Sequence, residues 1–297
     1  MTGSTTSTPL FGVVLDYVTL TKPRVMSLLL VTTFGGMALA YRGVPPGVLI
    51  AAVMVGGALA SGGAGALNHW LERDTDPLMG RTQSRPVASG RISATSAFVF
   101  GVVLNLLAFA VLMTWANILA ASLAMAGTVF YVLVYTYWLK RSTAQNIVIG
   151  GAAGAVPPLV GWASVTGGLA LPAWYLFVIV FFWTPPHFWA LAILLKDQYQ
   201  AARIPMLPVV AGLSATRIQV LLYSFTVAAL SILLWVSTDA LGRVYLAGAI
   251  ALGGVFVALA ARLTITGTRS AAVDLYVYSL LYLAALVVFV VIDSGIG

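Results

Sequence analysis

The sequence predicts an all-α, polytopic membrane protein with nine transmembrane helices, and three observations carry that expectation. Of its 297 residues, 61% are hydrophobic and only 8% charged. A soluble domain carries roughly 25% charged residues, so this chain cannot cover itself with a solvated surface. Nine stretches are apolar over the about 20 residues that a helix needs to cross the hydrocarbon core. The basic residues gather in alternate connections between those stretches.

In chain order, residues 1–9 are rich in Ser and Thr, and 1–15 are expected to form a disordered tail. No Lys or Arg precedes Lys22, unlike a secretory n-region or an Arg-rich transit peptide. The apolar runs follow at 25–42, 47–69, 95–115, 117–138, 145–166, 171–195, 216–237, 243–262 and 272–292. No polar stretch between them reaches the roughly 50 residues of a soluble domain, which leaves 16–297 as a single transmembrane domain. The fifth run is the least regular. It carries Pro157 and Pro158, with Gly150 and Gly154 spaced as a GxxxG face for close helix packing. Pro185 and Pro186 interrupt the sixth, and both proline pairs predict kinks.

With nine spans, thirteen of the fifteen basic residues fall on one membrane face, and only Arg42 and Arg243 on the other. This asymmetry predicts a cytoplasmic N-terminus and an outer C-terminus. It also accounts for the net charge of +7 without nucleic acid as a partner. The absence of cysteine excludes disulfides and thiolate-held metals.

Two connections on the basic face carry the chemistry. After the second run, Asn68, Glu72 and Asp76 stand at i, i+4 and i+8, which on a continued helix places three oxygen groups on one face, with Asp74 pointing elsewhere. Such a row suits Mg²⁺, a hard cation held by one or two carboxylates plus substrate phosphates. The nearby Arg73, Arg81 and Arg85 suit a diphosphate. A solvated, charged helix end is the plainer explanation of the same residues. After the sixth run come Lys196, Asp197, Gln198 and Tyr199. Asp197 alone is a weak signal, strengthened by lying on the same face as the first motif. A diphosphate beside lipid-embedded helices implies a long hydrocarbon as the transferred group. Aromatic faces stabilise an allylic cation, with Trp70, Tyr131, Tyr135, Trp162 and Trp183 as candidates that equally serve as packing or belt residues. His187 lies nine residues before Lys196, about 13 Å deeper along a helix. An ionisable group at that depth points to function, or else to a bond with a carbonyl freed by Pro185 and Pro186.

The segment from Asn68 to Pro86 resembles the first aspartate-rich motif of UbiA-type intramembrane prenyltransferases, and more narrowly the protoheme IX farnesyltransferase branch. Further blocks agree: Leu20 to Arg24, Tyr135 to Arg141, Gln145 to Gly151, Pro157 to Trp162, Pro185 to Leu191 and Ile204 to Pro208. The resemblance implies nine helices around a central cavity in a bacterial cytoplasmic membrane. It implies Mg²⁺-dependent transfer of a farnesyl group from farnesyl diphosphate to a vinyl group of haem B, giving haem O, with haem-pathway or terminal-oxidase assembly proteins as partners. Carried over by position, Asn68, Glu72, Asp76 and Asp197 hold the metal. Arg73, Arg81, Arg85, Lys140, Arg141 and Lys196 then face the diphosphate, and Tyr135 and His187 face the substrates. Two departures stand out. Glu72 occupies a position where the family pattern has Asp, and the residue four past Asp197 is Ala201 rather than an acid.

A quinone-precursor prenyltransferase shares the first motif but not the Pro157 and Pro185 blocks. A secondary transporter would place its charges near the midplane, whereas these carboxylates gather at one face. A membrane cytochrome would need two histidines at matching depth, and His69 and His187 differ by more than two turns.

Overall fold

A segment inside a bilayer must satisfy its backbone internally, which a helix does within one stretch of chain. A computed structural model describes residues 10–295, and the tail assignment for 1–9 lies outside them. Among the described residues, nine helices are long and apolar enough to cross a membrane: α2 (Pro23–Tyr41), α3 (Gly47–Leu71), α4 (Ala94–Trp115), α5 (Ile118–Ser142), α6 (Asn146–Thr166), α7 (Leu171–Leu194), α9 (Gly212–Val236), α10 (Arg243–Thr266) and α11 (Arg269–Ser294). Three shorter helices accompany them: α1 (Leu10–Leu20) before the first, and α8 (Lys196–Ala201) and a single turn at Leu207–Val210 between α7 and α9.

Residues 10–15 depart from the expected tail. They begin α1, which the Asp16–Arg91 ion pair (3.0 Å) and the edge-on Tyr17–Phe100 contact (4.9 Å) fasten to the connection before α4 and to α4 itself. The polar composition that suggests disorder ends at Pro9; Phe11, Val14 and Leu15 stay exposed, and Tyr17 and Leu20 supply the packing of this helix.

Successive spanning helices touch, and α11 closes the circle against α2. Contacts of α2 with α6 and of α7 with α11 cross the interior. Glycine permits the tightest of these crossings: a Cβ at Gly161 would overlap the Thr33 carbonyl, and one at Gly36 the Pro158 carbonyl. The expected GxxxG face is only half realised. Gly150 makes room for the Tyr135 ring, whereas Gly154 has no atom near its missing Cβ. Helices α6 and α7 continue through their proline pairs. Where α2, α6, α7 and α11 meet, toward the end away from Asn68, the remaining space is only about 10 Å³ and is lined by Thr32, Pro158, Leu176 and Val290 among others. That junction is packed shut, while an open apolar groove of about 400 Å³ lies beside it between α2, α3 and α11.

One element has no counterpart in a sequence reading. Residues Phe130–Leu139 of α5 form a π-helix, whose wider turn is rare overall and frequent at functional sites. The Thr136 hydroxyl donates to the Tyr131 carbonyl five residues back (2.9 Å). The widened turn presents Tyr131, Tyr135 and Thr136 to the polar end of α3.

Candidate functional site

The α3 helix ends at Leu71, so the expected three-turn row of oxygens is not one continuous helix. Glu72 caps α3, a turn follows, and Asp76 opens a single 3-10 turn, Asp76–Leu78. Two backbone bonds nonetheless keep α-type spacing: Glu72 N–H to Asn68 O (2.9 Å) and Asp76 N–H to Glu72 O (2.8 Å). The three side chains therefore converge. All are buried, at 2%, 3% and 3% exposure.

Basic groups from three directions meet them. Arg85 returns from the connection after Asp76 and donates from one Nη to both Asp76 oxygens (2.7 and 2.9 Å) and to Glu72 (3.3 Å). Lys140, at the end of α5, pairs with the other Glu72 oxygen. Lys22 donates to the Asn68 amide oxygen, while the Asn68 amide N–H donates to the Thr136 hydroxyl (3.1 Å). Lys22 also lies 6.0 Å from the centre of the Tyr131 ring. Three cations and two carboxylates leave a net positive, part-buried cluster, and such a cluster attracts a polyanion.

Lys22 reaches this position through an unusual backbone. It has φ +53°, in the left-handed region, at the joint between α1 and α2. Gly65 permits the close approach, since a Cβ there would lie 2.7 Å from the Leu20 carbonyl. Lys22 lies in the Leu20 to Arg24 block but outside the residues that the resemblance assigns to the site. Its signal was a lone Lys directly before the Pro that opens a spanning helix.

Burial and charge shift the ionisations. Burial pushes the Lys22 amine down to about 7, with Arg85 adding to the effect. Burial alone would raise Glu72, but Lys140, Lys22 and Arg85 together hold its carboxyl well below the ordinary range. Asp76 moves the other way, since burial outweighs the stabilising Arg85.

The remaining expected residues lie apart from this cluster. Arg73 is exposed, donates to the Trp70 carbonyl (2.8 Å) and lies over the Trp70 ring. Arg141 pairs with Asp74 at the surface (2.8 Å). Arg81 and Asp197 are exposed and Lys196 is half-buried, and none of the three makes a side-chain hydrogen bond or ion pair among the described residues. The residues after Asp197 turn inward instead: Tyr199 is buried and the Gln198 amide oxygen is enclosed without a partner. Tyr135 is half-buried and stacks on Tyr131 at 5.6 Å. His187 sits in the bundle, where its Nδ1 meets the Ser279 hydroxyl (2.7 Å) rather than a carbonyl freed by the prolines.

The donor set fits a hard divalent cation. No group of three or more His, Cys, Asp or Glu side chains converges among the described residues. Two carboxylates and the Asn68 amide oxygen do converge, and Mg²⁺ takes such a partial set when phosphate and water supply its other ligands.

Known proteins share this architecture. Residues 29–291 match the UbiA prenyltransferase family. The protoheme IX farnesyltransferase of Chloroflexus aurantiacus is 51% identical over 281 residues, 95% of this chain and 48% of that protein. The chain thus spans about half the length of that relative, and a Roseiflexus castenholzii relative is similar in this respect at 52%. The protoheme IX farnesyltransferase of a Nostoc species is 48% identical and is covered over 89% of its length. Among solved structures, a digeranylgeranylglyceryl phosphate synthase superposes with a TM-score of 0.78 at 15% identity, covering 96% of this chain and 99% of that one. A UbiA homologue from Archaeoglobus fulgidus, bound to GPP and Mg²⁺, gives 0.68 at 14% identity over 93% and 99%.

Proposed function

This chain belongs to the UbiA prenyltransferase family, and from that premise we propose that it transfers a farnesyl group from farnesyl diphosphate to a vinyl group of haem B, forming haem O. The observation that carries the reading is the buried cluster of Asn68, Glu72 and Asp76 with Lys22, Arg85 and Lys140. The names of its relatives at about half identity point to the acceptor.

Arg85, Lys140 and Lys22 bind the diphosphate and neutralise the charge that gathers on it as the C1–O bond breaks, a task in which fixed charges act without reorganisation. Asn68, Glu72 and Asp76 would hold Mg²⁺, which would add further charge neutralisation at the diphosphate. Tyr131 and Tyr135, stacked beside Lys22, supply aromatic faces for the developing allylic cation. The terminal vinyl carbon of the porphyrin bonds to C1 of the farnesyl group as diphosphate departs. Water adds to the other vinyl carbon and loses one proton, so farnesyl diphosphate, haem B and water give haem O and diphosphate. The positive-inside asymmetry supports a cytoplasmic location for this end and for the N-terminus.

The test uses the purified chain in detergent with haem B, farnesyl diphosphate and Mg²⁺, followed by reversed-phase chromatography with mass detection. A later-eluting pigment, heavier by farnesyl plus water and absent with EDTA, is the expected product. Unchanged haem beside prenylation of an added aromatic acid would move the chain to the quinone-precursor branch.

A further inference from the structure

We propose that Ser279 is a positioning residue that fixes the tautomer of His187, leaving the Nε2 lone pair free to ligate the iron of a bound porphyrin. This rests on the acceptor reading above.

The argument begins with a count of hydrogens. The Ser279 hydroxyl has one to give, and it lies 2.6 Å from the Tyr276 carbonyl, which can only accept. The same oxygen lies 2.7 Å from His187 Nδ1. Both contacts are satisfied together only if Ser279 donates to Tyr276 and accepts from His187. The proton of a neutral imidazole then sits on Nδ1, and Nε2 is unprotonated.

The ring cannot turn to exchange its nitrogens. Trp183 stacks on it at 4.5 Å and 14°, and Tyr276 at 4.8 Å and 23°. Trp183 is itself tied to the same residue, its indole N–H donating to the Ser279 carbonyl (2.8 Å). Trp183 and His187 are four residues apart on α7, so one residue of α11 anchors two successive turns of one helix face.

The described residues satisfy only one of the two ring nitrogens of His187. Here Nε2 has no hydrogen bond among the described residues, and unlike His69 Nδ1 it is not sealed inside the protein. A neutral imidazole with one N–H bonded to the protein and the other nitrogen free is the usual state of a metal-ligating histidine. Burial at 7% exposure keeps competing water scarce around that lone pair.

The test loads the full-length protein in detergent with ferrous haem B and records the iron–imidazole stretching band by resonance Raman, beside a haem titration. The wild type should show the band, and His187→Ala should lose it. Ser279→Ala should shift it to lower frequency and weaken haem binding about 10–100-fold. His187→Gly should regain a band when imidazole is added, which separates lost ligation from lost folding. Haem bound with a band that neither His187→Ala nor Ser279→Ala alters would overturn this inference while leaving the acceptor reading intact. A wild type that binds no haem would overturn both.

Discussion

Replacing Arg85 by Ala should unbalance the cluster more than any other single truncation. Asp76 is 3% exposed, and among the described residues Arg85 is the only cation bonded to it. The other two basic groups are committed elsewhere, Lys140 to Glu72 and Lys22 to Asn68. Removing one partner of a buried pair costs about 3–5 kcal/mol because the other charge stays buried and unpaired. Arg85 keeps 20% of its side chain exposed, which favours the low end, about 3 kcal/mol. Neutralising the stranded acid should recover much of that loss, since removing both partners is far less costly than removing one. The assay is a double-mutant cycle of Arg85→Ala and Asp76→Asn, read by reversible unfolding in mixed micelles. The double variant is expected to be more stable than Arg85→Ala alone. Strict additivity, or an Arg85→Ala variant within about 0.5 kcal/mol of wild type, as at an ordinary surface site, would refute the ion-pair geometry.

Asp76→Asn should lower prenyl-transfer turnover on the order of 10²-fold, the usual scale for losing one fixed charge-stabilising group, measured in the haem O assay under saturating substrates. Lys22 titrates near 7 in the folded protein and near its ordinary 10.5 when unfolded, so between those values the unfolded chain binds more protons and stability rises with pH. Unfolding midpoints should accordingly climb from pH 7 toward pH 9, and Lys22→Met should flatten the slope; an unchanged slope would remove Lys22 as its source. Gly161→Ala forces a methyl against the Thr33 carbonyl and should cost about 1–3 kcal/mol, whereas Gly154→Ala, which meets nothing, should be neutral or slightly stabilising. Equal effects of the two in a thermal-stability scan would contradict the α2–α6 packing.

Much of this protein is decided by composition alone. A chain this apolar has to bury its backbone bonds in lipid, so the helices, their number and most of their limits follow from hydropathy, while the ends at Ser142, Gly212, Thr266 and Arg269 run three or four residues beyond the apolar stretches. The first motif was legible because Asn68, Glu72 and Asp76 recur at a helical interval, and that interval survives locally even though α3 stops at Leu71. Sequence spacing could not say which of the many basic residues would turn inward. Arg73, Arg81 and Arg141 are as close in sequence to the carboxylates as Arg85 or Lys140, yet their side chains lie at the surface. The choice is made by long-range packing: the π-helical turn of α5 brings Lys140 and Thr136 to Glu72 and Asn68, and Gly65 lets the left-handed Lys22 joint rest on α3. The pairing of His187 with Ser279 is likewise tertiary, joining residues 92 apart in the chain. Periodicity reports which residues share a helix face. Only the packing of one helix against another determines what that face meets.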